Sequence, residues 1–295
     1  MELAVERAKY IIAVALYGTI GVFLRYVQLP SEAVALCRGT IGAAFILLYL
    51  KARHKKLDRA AIRANLFWLV LSGICLGLNW VFLFAAYTKT TVAIASLCNY
   101  MAPIIVIVIA PVVLHERADW RKMPCVMAAL IGIVLVSGVL NGGNANLSGV
   151  LMGLIAAVGF VCVVICNRKI RDIPALDKAV VQLAVSAVTI LPYVWIKNLG
   201  TPVAVDLRSV LIVLLLGVLH TGVCYCFYFS GMGSLPVQTV AILGYLEPVV
   251  SVLCSAVFLH EAMSPGGWVG AVLILAAAAI SEVMPIVSND LVEEP

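Results

Sequence analysis

Glu247 and Arg38 are the acid and the base that fall well inside long apolar stretches of this chain. A charge in such surroundings is expensive unless it is paired, protonated or wetted, so each is a functional candidate by default. A carboxyl at Glu247 has the chemistry of a proton-coupling site. A structural hydrogen bond to a neighbouring helix is the plainer reading of the same residue. It sits about 200° around its helix from Tyr245, so the two do not share a narrow face. Arg38 follows Pro30 by eight residues, about 12 Å at the helical rise. From there it can snorkel to the membrane surface, meet a substrate carboxylate or join an ion pair.

Polar stripes accompany these two charges. Trp68, Ser72, Cys75 and Asn79 recur at spacings of four, three and four, which is one helical face. His220, Thr221, Cys224, Tyr225 and Tyr228 make a second face. Asn99 and Tyr100, then Gln238 and Tyr245, lie on two further helices, which also carry Pro103 and Pro248. A proline inside a helix frees one backbone carbonyl. That either offers a polar group to a substrate or merely curves the helix. Polar residues in a membrane usually face the bundle interior, so all of these are candidate substrate-binding positions. The competing reading is that they glue neighbouring helices together.

No reactive constellation accompanies them. There is no Ser/His/Asp set, no pair of intramembrane aspartates, no HExxH and no GxxxxGK[ST]. Neither an enzyme nor a directly ATP-driven pump is expected, and no catalytic residue, metal ligand or cofactor. The nine cysteines, Cys75, Cys162 and Cys166 among them, read as small apolar residues. His115 and His260, beside Glu116 and Glu261 at the ends of apolar stretches, read as caps or interfacial anchors.

The elements that must position these residues are membrane spans. The chain is 63% hydrophobic and 12% charged, where a soluble domain carries roughly 25% charge. Its mean hydropathy is +1.10. Ten apolar stretches can be read, at residues 10–29, 31–50, 66–87, 90–114, 122–140, 147–167, 178–199, 208–230, 235–259 and 266–286. Each is near the ~20 residues that cross the hydrocarbon layer. The alternation of a strand barrel is absent, and the first stretch does not read as a cleaved signal. With the N-terminus in the cytoplasm, fifteen of the 20 basic residues fall on cytoplasmic segments and four on outer loops. That bias predicts a multi-pass protein of the cytoplasmic (inner or plasma) membrane with both termini inside. Membrane lipids and a small-molecule substrate are the expected partners. Nucleic acid is not, because the basic residues are dispersed between apolar spans. Oligomeric state has no signature.

The chain also repeats itself. Asn99–Glu116 returns as Gly244–Glu261 without a gap, so that Tyr100 meets Tyr245, Pro103 meets Pro248 and Leu114-His115-Glu116 meets Leu259-His260-Glu261. At nearly the same offset Arg25 meets Arg168, Pro30 meets Pro174, and Arg38 meets Gln182. The repeat is about half the chain, a signature of duplication. Five spans per copy is odd, so the second copy starts on the opposite side and the repeats are inverted. The expected division is residues 1–143 and 144–295, with the polar, glycine-rich segment Asn141–Asn146 as the connection. The acidic tail, with Asp290, Glu293 and Glu294, is expected to fray.

This combination resembles the drug/metabolite transporter superfamily of EamA type. The resemblance rests on ten spans, the five-plus-five duplication, the repeated ending Pro-(x)10-Leu-His-Glu, the Leu246–Leu253 phrase and an arginine on the second helix. The middle residue of Leu-His-Glu departs from the Leu-Gly-Glu-like ending frequent in the family. The resemblance implies an all-α, ten-helix inverted-repeat bundle with a central cavity and alternating access. It also implies relatives such as YddG-like exporters of amino acids. The expected function is secondary transport, in the direction of export, of an amino acid or similar metabolite. A lipid-handling protein (flippase or scramblase) or an integral membrane enzyme is the alternative.

Overall fold

The computed structural model describes residues 2–113, 120–137, 147–197 and 205–284. The side chains of Glu2, Ala110, Val112, Val237, Gln238 and Ala241 are not included. His115 and Glu116, the Asn141–Asn146 connection and the acidic tail at Asp290, Glu293 and Glu294 lie outside the described residues.

Helices account for the whole architecture. α1 runs over Glu2–Arg25 and α2 over Ser31–Ala52, just after Pro30. A short α3 (Arg59–Ala64), which hydropathy alone does not reveal, is capped by Asp58. The Asp58 carboxylate accepts from the backbone N–H groups of Ala60 and Ala61, which would otherwise be unsatisfied. α4 (Leu66–Lys89) follows, then α5 (Val92–Asn99), whose first turn is closed by the Thr91 hydroxyl accepting from Ile94 N–H. α6 (Ala102–Val113) and α7 (Met123–Ser137) end the first half. The second half has α8 (Leu147–Lys169), α9 (Ala175–Lys197) and α10 (Leu207–Gly217). A π-helical segment, Val218–Val223, joins α10 to α11 (Cys224–Ser234). α12 (Val237–Gly244), α13 (Leu246–Phe258) and α14 (Pro265–Val283) complete the chain.

Among the described residues nine helices are long and apolar enough to span a membrane. The tenth crossing, α12 with α13, contributes a shorter apolar stretch, Ile242–Phe258. The sequence predicts helices over 90–114 and 235–259, kinked or curved by Pro103 and Pro248. Both are instead interrupted at the same place in the repeat, Tyr100 and Tyr245. The prolines explain the position. Pro103 and Pro248 have no N–H to offer the carbonyls of Asn99 and Gly244, four residues back. The helix stops there and restarts, and each proline falls in the first turn of the new helix, where its missing donor costs little.

The two halves pack by a common rule. α1 packs against α11 and α13, while its counterpart α8 packs against α4, α5 and α6. α2 lies on α9, α7 on α14, and α5 on α13. Exchanging the halves maps α2–α9 and α7–α14 onto themselves, as an internal two-fold axis requires, while among the described residues α5 on α13 has no such counterpart between α12 and α6. Polar loop contacts divide between two ends. Arg25, Thr90, Val92 and Glu261 meet at one end. Asp58 with Asp177, and Asn65 with Arg171, meet at the other. The α7–α14 pair is closed by Gly132 and Gly270: a Cβ on Gly270 would fall 2.5 Å from the Gly132 carbonyl oxygen. Without side chains there, the backbones approach closely, the usual device in lipid, where hydrophobic burial between helices gives little. Large apolar residues such as Leu48, Phe67, Val188 and Trp195 are exposed on the outside, as a lipid-facing surface demands.

Candidate substrate pathway

Arg38 is buried in the middle of the bundle, 5% exposed. Its Nε donates to the Thr221 hydroxyl at 2.8 Å. The guanidinium carbon lies 4.4 Å from the ring centre of Trp80 and 5.9 Å from that of Phe84, a cation–π arrangement. Thr221 is placed by the π-segment, in which its hydroxyl donates to the Leu216 carbonyl five residues back at 2.9 Å. Such single wide turns often occur at functional sites. α2 can reach it because Gly42 has no side chain: a Cβ there would lie 2.4 Å from the Thr221 methyl group.

His220 stands beside this pair, 1% exposed. Thr19 gives its hydroxyl proton to the Leu16 carbonyl at 2.7 Å. The 2.9 Å contact between Thr19 Oγ1 and His220 Nε2 therefore has Nε2–H as donor. Phe23 meets the imidazole edge-on at 5.2 Å.

Glu247 opens α13, and Gly18 lets α1 approach it: a Cβ on Gly18 would fall 2.5 Å from the Glu247 carbonyl oxygen. Its carboxyl faces the Tyr100 hydroxyl and lies within the field of Arg38. No ion pair joins the two charges among the described residues. Tyrosines fill the surroundings. Tyr10 stacks on Tyr228 with ring centres 5.1 Å apart, and Tyr17 meets Tyr225 at 6.1 Å and Tyr228 at 6.0 Å. Tyr17, Tyr100, Tyr225, Tyr228 and Glu247 are at the centre of the bundle, yet each is only half-buried.

From Arg38 a ladder of rings leads along α4. Trp80 stacks on Phe84 at 6.5 Å, and Phe84 on Tyr87 at 6.2 Å. Beyond it a pocket of about 60 Å³ lies at the Arg25 end, lined by Leu24, Arg25, Val27, Val34, Phe84 and Tyr87 among others. Phe84, 1% exposed, separates that pocket from Arg38.

The structure sorts the sequence candidates by position. Arg38, His220, Thr221, Tyr225, Tyr228, Tyr100 and Glu247 come together. The α4 stripe lies between helices. Ser72 accepts from Gln182 Nε2 at 2.6 Å, Cys75 lies beside Cys162, and Asn79 Nδ2 donates to the Ala156 carbonyl at 2.7 Å and to Asn99 Oδ1 at 2.9 Å. Trp68 packs on Phe67 at 5.0 Å near the start of α4. Cys224 is fully buried. Tyr245 joins the apolar cluster that contains Ile104 and Ile274, and does not join the central tyrosines. The Gln238 side chain lies outside the described residues. Not anticipated were Thr19, Tyr10, Tyr17 and the ladder of Trp80, Phe84 and Tyr87. The ladder's spacing of four and three was a legible signal.

The two halves differ chemically at this centre. Gln182 holds the place of Arg38, and its bonds to Ser72 and to Asn167 at 2.7 Å go to neighbouring helices. Cys75 and Cys162 hold the places of His220 and Thr19. Charge and strong donors are concentrated on one side of the axis. At the outer rim of the same side, Arg25 Nη2 donates to Glu261 at 2.6 Å and to the Thr90 carbonyl at 2.7 Å. Glu261 also accepts from Val92 N–H at 2.8 Å, capping α5. The second Leu-His-Glu copy thus acts as a cap.

Two inverted five-helix halves, with broken helices meeting at a polar centre, define a membrane transporter of the inverted-repeat class. The sequence profile of the EamA-like transporter family matches residues 9–138 and again residues 147–282. The chain belongs to that family and is a membrane transporter, not an enzyme. It is 23% identical over 278 residues to the uncharacterized transporter YxxF of Bacillus subtilis, covering 92% of this chain and 88% of that protein. It is 30% identical over 181 residues to a probable amino-acid metabolite efflux pump of Salmonella typhimurium, covering 57% of this chain and 60% of that protein. A solved crystal structure superposes with a TM-score of 0.62 at 21% identity, covering 94% of this chain and 96% of that one.

Proposed function

We propose that this protein is a secondary transporter that carries a small metabolite of amino-acid size by alternating access through the space between Arg38 and Glu247. The observation that carries this reading is the half-buried group of Tyr17, Tyr100, Tyr225, Tyr228 and Glu247 at the bundle centre. The broken helices at Tyr100 and Tyr245 support it, because such breaks supply unsatisfied backbone groups at the midplane of transporters. The name of the Salmonella relative favours an amino-acid metabolite and outward transport. The charge bias of the loops supports a cytoplasmic membrane and cytoplasmic termini. The two repeats are divided at residues 143 and 144.

The test is uptake by purified protein in liposomes, without ATP, from a panel of labelled amino acids, amines and nucleosides. Saturable uptake of at least one amino-acid-sized compound is expected. Uptake of none, with scrambling of fluorescent lipid instead, would overturn the reading in favour of lipid handling.

A further inference from the structure

A guanidinium has five N–H donors in a fixed fork. In Arg38 the Nε–H is used on Thr221. The terminal groups Nη1 and Nη2 have no protein partner among the described residues, although the side chain is 5% exposed. They are also absent from the atoms that are both sealed in and unpartnered, so part of their surface is left uncovered by protein. A buried cation with idle donors carries an uncompensated charge. Trp80 beneath the guanidinium plane and Thr221 on Nε leave the fork little freedom to turn.

From this geometry we propose that Arg38 is the anchor for the carboxylate of a small monoanionic substrate, gripped by both terminal nitrogens while its apolar body lies against Tyr17 and Tyr225. The proposal rests on the reading of the bundle centre as the transport pathway and adds to it the charge of the cargo. A carboxylate matches the planar fork with two parallel bonds. The charge balance selects a monoanion. One arginine neutralises one negative charge, and the further ionisable group in its field is an acid, the Glu247 carboxyl. Arg25, Lys9 and Lys197 are engaged towards the ends of the bundle with Glu261, Glu6 and Glu32. A phosphate dianion would bring a second, unbalanced charge into a low-dielectric site. The other half offers no equivalent anchor, because Gln182 already donates to Ser72 and Asn167.

The test uses the full chain in lipid nanodiscs, with the thermal midpoint as readout of binding. The probes are benzoate against benzamide, 3-phenylpropanoate against 3-phenylpropanamide, and phenyl phosphate. The carboxylates should raise the midpoint saturably, and the amides and phenyl phosphate should not. Arg38→Gln should weaken the apparent carboxylate affinity by about tenfold to hundredfold, the effect of losing a charge-assisted bidentate contact. Arg38→Lys retains the charge without the fork and should lie between the two. It decides the matter if Arg38→Gln does not fold. The proposal is overturned if no carboxylate stabilises the wild-type protein, if amides do so equally, or if carboxylate affinity is unchanged in the folded variants. Liposome flux of an uncharged compound would then leave the transporter reading intact while removing the anchor.

Discussion

At the scale of single residues, Glu247 is the group whose chemistry can couple cargo to an ion gradient. It faces Tyr100 within the field of Arg38 but is not ion-paired with it among the described residues. Gln is close in shape to a protonated Glu and cannot ionise. With Glu247 as the coupling site, Glu247→Gln should abolish transport driven by a pH gradient while leaving equal exchange of substrate intact. Gradient-driven transport that survives the substitution, or a wild-type protein indifferent to the gradient, would remove Glu247 from the coupling mechanism. The importance of Glu247 and Arg38 was legible in the sequence because charges are rare in apolar spans. Their setting was not. Trp80, Phe84 and Tyr87 look like ordinary core residues until Arg38 is seen against them, and Ser72 and Asn79 look like cavity polarity until their interhelical bonds are seen.

At the scale of elements, the number of spans and their pairing followed from hydropathy and the repeat. The interruptions did not follow fully. Pro103 and Pro248 mark a disturbance, but the helices part ahead of them, at Tyr100 and Tyr245, where the carbonyl partners are lost. The π-segment left still less trace. It is accommodated where Gly217 and Gly222 receive Ile41 and Phe45 of α2, a tertiary fit that no local pattern reports. Close backbone approach also predicts where the bundle is fragile. A Cβ at position 270 meets the Gly132 carbonyl at 2.5 Å, with the side chains of Leu135 and Val136 within 3 Å. Gly270→Leu should therefore destabilise the α7–α14 pair by about 1–3 kcal/mol or more, as overpacking does. The check is the thermal midpoint of purified protein. An unchanged midpoint would mean that α7 and α14 are not packed as described.

At the scale of the molecule, duplication built a nearly symmetric scaffold and divergence made its centre asymmetric. Symmetry is visible in the packing of α1 on α13 and of α8 on α5 and α6. Asymmetry is visible in Arg38 against Gln182 and in His220 against Cys75. A scaffold with two equivalent halves has two equivalent ways to close, one at each end, which is the physical basis for alternating access. Under the alternating-access proposal the centre is reachable from both sides of the membrane, though not at once. The most direct measurement places a single cysteine at Tyr225 in a background lacking the nine native cysteines. Membrane-impermeant thiol reagents are then applied separately to each face of sided vesicles. The account predicts modification from either face, with substrate shifting reactivity from one face to the other. Modification from neither face would contradict it and return Tyr225 to a packed core.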